Sequence, residues 1–189
     1  MKRYEVVLLL DPAMKDADRA AVLKELEGAL PTGSVESVDT IGLQTLSYDL
    51  ARLRGNNRAF IVSYVFSLDT EGLLAIKKVL LYNKAILRYN IFAMSAQQEA
   101  FVFEKLVKEM EEAVAATEGK KFGQKATFFL ARKNEKYITW KAIPVLTKYV
   151  TRFGEIKPRK YTGNTVSVQK KIKQAISRAR ELGLLNYIK

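Results

Sequence analysis

Between residues 120 and 189 the chain carries eighteen Lys or Arg against three Asp or Glu, a net charge of +15. Cations at that density bind phosphate: an ammonium supplies a point charge, and a guanidinium supplies a planar fork that grips two oxygens at once. The candidate contacts to a polyanion are Lys120, Lys121, Lys125, Arg132, Lys133, Lys148, Arg152, Lys157, Arg159, Lys160, Lys170, Lys171, Lys173, Arg178 and Arg180. Tyr161, set among them, is a candidate for stacking on an unpaired base, as are Phe128, Phe129 and Tyr137. The plainer assignment makes the cations a solvated face and the aromatics core. The charge excess argues against the first half of it; the second half is the favoured reading of the aromatics.

Two residue types are missing. With no His and no Cys there is no Ser–His–Asp triad, imidazole shuttle, thiolate nucleophile, disulfide, or His- or Cys-bound metal. No catalytic residue, metal site or cofactor is expected. No apolar run approaches the roughly 18 residues of a membrane span. The opening MKRYEVVLLLDPAMKD reads as a strand broken by Asp11-Pro12, not as a signal or transit peptide, which points to the cytoplasm.

The elements that would position the cations follow from charge and periodicity. Residues 1–100 are net neutral and 101–119 carry −3, so a neutral first half, an acidic connector and a basic last third are expected. Arg3–Leu10 is a nearly continuous apolar strand. Lys15–Leu30 repeats Val22, Leu23, Leu26 and Leu30 at helical spacing, with Asp16 and Asp18 at its positive end. Val35–Leu50 reads as a long strand with a bulge, Arg54–Asn57 as a hairpin turn, and Ala59–Leu68 as a period-two strand. A helix capped by Asp69 or Thr70 runs to about Leu81, and Ile86–Met94 closes the set. That β-α-β-β-α-β order is the ferredoxin-like split βαβ of the α+β class, with two helices on one sheet face and the other face left open.

Gln97–Thr117 reads as a helix striped by Phe103, Leu106, Val107, Met110 and Val114, either a solvated spacer or a helix buried on a neighbour. Beyond it, one helix begins near Thr139, faces Ile143, Leu146, Tyr149, Val150 and Phe153 inward and ends at Gly154, with Pro144 delaying its start. A basic extended loop, 155–164, follows. Thr165 or Ser167 then caps a second helix that buries Val168, Ile172, Ala175, Ile176, Ala179 and Leu182. The segments are therefore 1–96, a connector 97–124, and a small all-α basic module 125–189, whose core is thin enough to need a partner.

MKRYEVVLLLDP, the long hairpin and ILRYNIFAM resemble the bacterial small-subunit ribosomal protein six family over about residues 1–95. The stretch YITWKAIPVLTKYVTRFGEIKPRKYTGNTVSVQKKIKQAISRARELGLLNY resembles ribosomal protein eighteen. It matches that family at Ile138, Trp140, Lys141, Gly154, Ile156, Pro158, Arg159, Lys160, Thr162, Gly163, Gln169 and Lys171, and again through Ala175, Ile176, Arg178, Ala179, Arg180, Leu184, Leu185 and Tyr187. Many members of that family carry a Cys-x-x-Cys pair near the position of Thr127-Phe128-Phe129-Leu130 here, so any metal is excluded. The resemblance implies a structural, non-enzymatic constituent of the small subunit that binds the central domain of its rRNA on the platform. It further implies a six–eighteen pair made covalent, with intramolecular contact between the modules, neighbouring small-subunit proteins as partners, and no membrane.

The competing reading is a ferredoxin-like hydrolase of acylphosphatase type with a basic nucleic-acid-binding tail. It needs a phosphate-cradling loop, and Asp11-Pro12-Ala13-Met14 has no glycine to form one. A general DNA-binding or membrane-surface protein would carry a low-complexity basic tail, and none is present.

Overall fold

The computed structural model describes residues 2–31, 33–50, 57–95, 98–118, 128–130 and 132–187, which divide into two compact units, 1–100 and 101–189. In the first, β1 (Lys2–Leu10), β2 (Val35–Thr45), β3 (Arg58–Leu68) and β4 (Ile86–Ala93) form an antiparallel sheet in the order β2-β3-β1-β4. Helices α1 (Asp16–Ala29) and α2 (Thr70–Tyr82) complete the split βαβ arrangement of the α+β class. The apolar run of β1 is explained by its central place between β3 and β4. Val6, Leu8 and Leu10 join Val62, Tyr64 and Phe66 of β3 under Val22 and Leu26 of α1 and Ile76 and Leu80 of α2.

On the other face Val7, Leu9, Ile61 and Val65 are each at most 3% exposed, so that face is buried, contrary to the open face expected. There the Ser63 hydroxyl donates to the buried Glu5 carboxylate at 2.8 Å. The expected bulge in β2 is present as register shifts between Val35 and Ser37 and between Thr40 and Gly42, where Gly42 takes φ +82°. The strand ends at Thr45 and not Leu50, and most of the expected hairpin turn lies outside the described residues.

At the sheet rim Arg3 forks onto Glu36, with Nη2 and Nε at 2.7 and 2.9 Å from Oε2, and the Ser67 hydroxyl donates to Oε1 at 2.5 Å. The Ser67 hydrogen bond first, and Arg3 second, hold the Glu36 carboxyl below its ordinary value of 4.5.

The second unit contains α3 (Phe103–Glu118), 3₁₀ turns at Phe128–Leu130 and Arg132–Tyr137, α4 (Ile143–Lys148), α5 (Arg159–Thr162) and α6 (Val166–Glu181). Here α3 follows the second of the two alternatives for the connector, a helix buried on its neighbours. It starts at Phe103 instead of Gln97, and Leu106 and Met110 pack in one core with Phe129, Ile138, Leu146, Tyr149, Ile172 and Ile176. A polar spacer would not bury that stripe; the helix supplies apolar mass that α4 and α6 lack.

The α4 segment is corrected too. Pro144, with no N–H to give, sits in the first turn, and the helix spans six residues. Thr139 does not cap it but is buried upstream. The chain then leaves the helix for a tight turn in which Val150 bridges Ile156, so Phe153 points outward and is 59% exposed.

Two outcomes test this account. Leu106→Ala lowers the stability of the second unit by about 2–5 kcal/mol in denaturant unfolding, because a buried Leu is lost from a small core. Glu36→Gln costs up to about 1 kcal/mol at neutral pH, as befits a partly exposed pair at the sheet rim. A depressed carboxyl pKa contributes stability above 4.5 that fades as pH falls through the folded value, so urea curves of variant and parent converge in acid.

Candidate nucleic-acid interface

The basic loop owes its shape to one glutamine. Gln169 Nε2 donates to the Lys157 carbonyl at 2.8 Å, and its Oε1 accepts from the Thr162 hydroxyl at 3.1 Å. Lys157 N–H in turn donates to the Tyr149 carbonyl at 2.8 Å, and Lys157 Nζ to the Lys148 carbonyl at 2.8 Å. Pro158 opens α5 and Gly163, at φ +74°, ends it in the left-handed conformation that costs glycine least. Thr165 Oγ1 then accepts from Val168 N–H at 3.3 Å, the expected cap of α6. The segment expected to be extended is therefore a pinned turn with a one-turn helix.

Four cations face outward beside the pinned loop: Arg159 and Lys160 on α5, and Lys170 and Lys173 one turn apart on α6. Arg159, Lys170 and Lys173 line one shallow depression of about 360 Å³ with Ile156, Val166 and Gln169. Among the described residues no carboxylate or carbonyl bonds to these four side chains. Three positive groups converge there on open solvent, an arrangement that is self-repelling.

The other candidates fall elsewhere. Lys171 pairs with Glu135 at 3.2 Å, and Lys157 is spent inside the loop. Arg180 is committed to main chain: Nε donates to the Asn186 carbonyl at 2.9 Å, Nη2 donates to the Gly154 carbonyl, and the guanidinium lies 5.7 Å over the Tyr187 ring. Arg178 is half-buried, while Arg132, Lys148 and Arg152 are exposed, the last stacked 4.6 Å over Phe153. Lys120, Lys121 and Lys125 and the Lys133 side chain lie outside the described residues.

The aromatics separate cleanly. Phe129 is fully buried against Tyr149, whose hydroxyl accepts from Phe129 N–H at 3.2 Å and whose pKa burial pushes up. Phe128 and Tyr137 pack partly into the same core, whereas Tyr161 is 65% exposed. Sequence reasoning missed Gln169 and Thr162 as organisers, because a glutamine's partner 12 residues back leaves no periodic trace. It missed Lys141 as well, which is buried and donates to the Phe101 carbonyl at 2.8 Å.

The loop after β1 opposes the hydrolase reading. Its N–H groups at Ala13 and Met14 are bonded to Asp11, and the carbonyls of Pro12 and Met14 accept from Arg19. A phosphate cradle needs free N–H groups pointing inward; this loop points oxygens at a guanidinium. Among the described residues no group of His, Cys, Asp or Glu is placed to hold a metal, and no helix is long and apolar enough to cross a membrane.

Residues 3–93 match the family described as Ribosomal protein S6, and residues 134–185 the family described as Ribosomal protein S18. Small ribosomal subunit protein bS18 of Mycoplasma capricolum is 37% identical over 65 residues, covering 34% of this chain and 87% of that protein. The chain belongs to the S18 family and carries an S6 unit in front of it. The bS18 of Alkaliphilus metalliredigens is 44% identical over 68 residues, 36% of this chain and 88% of that protein. The bS18 of Karelsulcia muelleri is 42% identical over 60 residues, 32% of this chain and 33% of that protein. Among solved structures, the 30S ribosomal protein S6 of Thermotoga maritima covers 60% of this chain and 97% of its own, with a TM-score of 0.45 and 16% identity. This S6–S18 fusion is thus a constituent of the small ribosomal subunit. The S18 match begins beyond α3, yet Leu106 and Met110 of α3 share the S18 unit's core.

Gln169→Ala leaves the Lys157 carbonyl and the Thr162 hydroxyl without their partner, and is expected to cost the S18 unit about 1–3 kcal/mol in thermal or urea unfolding. Lys170→Ala, one residue on and exposed, is expected to stay within about 0.5 kcal/mol of the parent.

Proposed function

We propose that the S18 unit holds rRNA through the Arg159–Lys170–Lys173 depression, with Lys160 beside it, and that the whole chain sits on the platform of the small subunit at the central domain of its rRNA. The observation that carries this reading is the convergence of three cations with no anion bonded to them among the described residues. The fork of Arg159 suits a backbone phosphate, and the two lysines one helical turn apart suit successive charges along a strand. The net-neutral S6 unit adds little to that attraction, so long-range pull comes from the basic end.

Joining the units also makes the arrival of the second an intramolecular event, with an effective concentration that reaches the millimolar range for short flexible joints. In this role the chain supports subunit assembly and translation in the cytoplasm beside other small-subunit proteins, and its contribution is positional.

Two measurements test the proposal. The chain co-sediments with small subunits in a sucrose gradient; recovery in the free pool alone sinks it. In filter binding to a central-domain transcript, Arg159→Ala and Lys170→Ala each reduce the slope of log affinity against log salt by about one, and weaken unrelated RNA sequences equally.

A further inference from the structure

An aromatic ring in water at the end of a rigid turn needs a reason, and Phe153 is one. The turn 150–156 is closed by the Val150–Ile156 bridge, by Thr151 N–H to the Glu155 carbonyl at 2.7 Å, and by Gly154 N–H to the Thr151 carbonyl at 3.0 Å. Gly154 takes φ +88°, and its carbonyl accepts from Arg180 Nη2. The backbone around Phe153 is therefore fixed, and the ring stays 59% exposed because nothing in that geometry lets it turn inward.

One face of the ring is taken by the Arg152 guanidinium, 4.6 Å from its centroid. Arg180, bonded to the same turn, lies over Tyr187, itself 52% exposed. Two exposed rings, each backed by a guanidinium, are thus linked through Gly154 and Arg180.

We propose that Phe153 is a stacking platform for unpaired bases of RNA, the flanking guanidinium of Arg152 meeting the phosphate, with Tyr187 a second exposed ring tied to the same turn through Arg180. An unpaired base offers a π-face to the open side of the ring, and the Arg–aromatic pair presents charge and stacking surface together. Within the turn 150–156 Glu155 is the one acidic residue beside Arg152. A protein partner matched to so cationic a rim would have to be acidic, whereas RNA supplies ring and anion in one ligand. This inference rests on the rRNA binding proposed above and names a separate contact within it.

The test uses the full chain, the central-domain transcript with its unpaired loops, and a fully paired RNA duplex. Phe153→Ala is expected to weaken transcript binding about five- to a hundredfold and to leave duplex binding unchanged, while Phe153→Tyr restores the parent value. Phe153→Trp gives an optical readout, since the sole tryptophan, Trp140, is 1% exposed: the transcript quenches the new emission and the duplex does not. Melting curves matching the parent establish that the variants are folded.

Parent-like transcript affinity in Phe153→Ala with no quenching in Phe153→Trp overturns the platform, and leaves the phosphate site standing if the parent chain binds. Equal losses on transcript and duplex overturn it as well. Loss of a neighbouring protein from reconstituted subunits at unchanged RNA affinity assigns the turn to a protein contact and overturns it. A parent chain that does not bind the transcript at all removes both readings.

Discussion

A stretch carrying net +15 folds only where apolar contact outweighs like-charge repulsion, and in this protein that contact is one strip of α6. Val168, Ile172, Ala175 and Ile176 close on Val145, Leu146 and Tyr149 of the α4 segment, with Leu106 and Met110 of α3 completing the enclosure. Because that face is dry, the opposite positions of α6 are obliged to face water, and those positions hold Lys170, Lys171 and Lys173. The cationic surface is the complement of the buried strip: the spacing that sends an isoleucine inward sends its lysine neighbour out.

Chemically identical side chains consequently serve opposite ends. Arg180 spends its donors on the carbonyls of Gly154 and Asn186 and works as a rivet between a turn and the tail. Arg159, at the rim of a depression with the Gln169 bonds behind it, bonds to no carboxylate or carbonyl among the described residues. Sequence cannot tell a rivet from a rim, since both are arginines in a basic run; the distinction is made by which backbone carbonyls lie within reach.

What could be read from the chain follows the same division. The apolar run of β1, the period-two pattern of Phe60, Val62, Tyr64 and Phe66, and the inward face of α6 each stood out because a single periodicity governs burial over many residues. Phe153 was misread as an inward helical position because helical spacing carries straight through 143–153, while Pro144 and Gly154 together leave room for six helical residues and a turn. The stripe of α3 left a solvated spacer and a buried helix both open, since charge along one side says nothing of what the other side touches. Gln169 was invisible for a different reason: its role lies in two bonds to a loop, and hydrogen bonds across a loop have no period.

The division of the chain after residue 100 has a consequence for how the protein is made. Polypeptides emerge amino end first, and every strand of the sheet is complete at Ala93. The neutral unit is thus free to fold before the first lysine of the basic stretch leaves the exit tunnel. The acidic helix α3 follows it, and its Leu106 and Met110 wait for partners synthesised some tens of residues later. One message also yields the two units in strict one-to-one number, so a cell making this chain never accumulates the basic half without its companion.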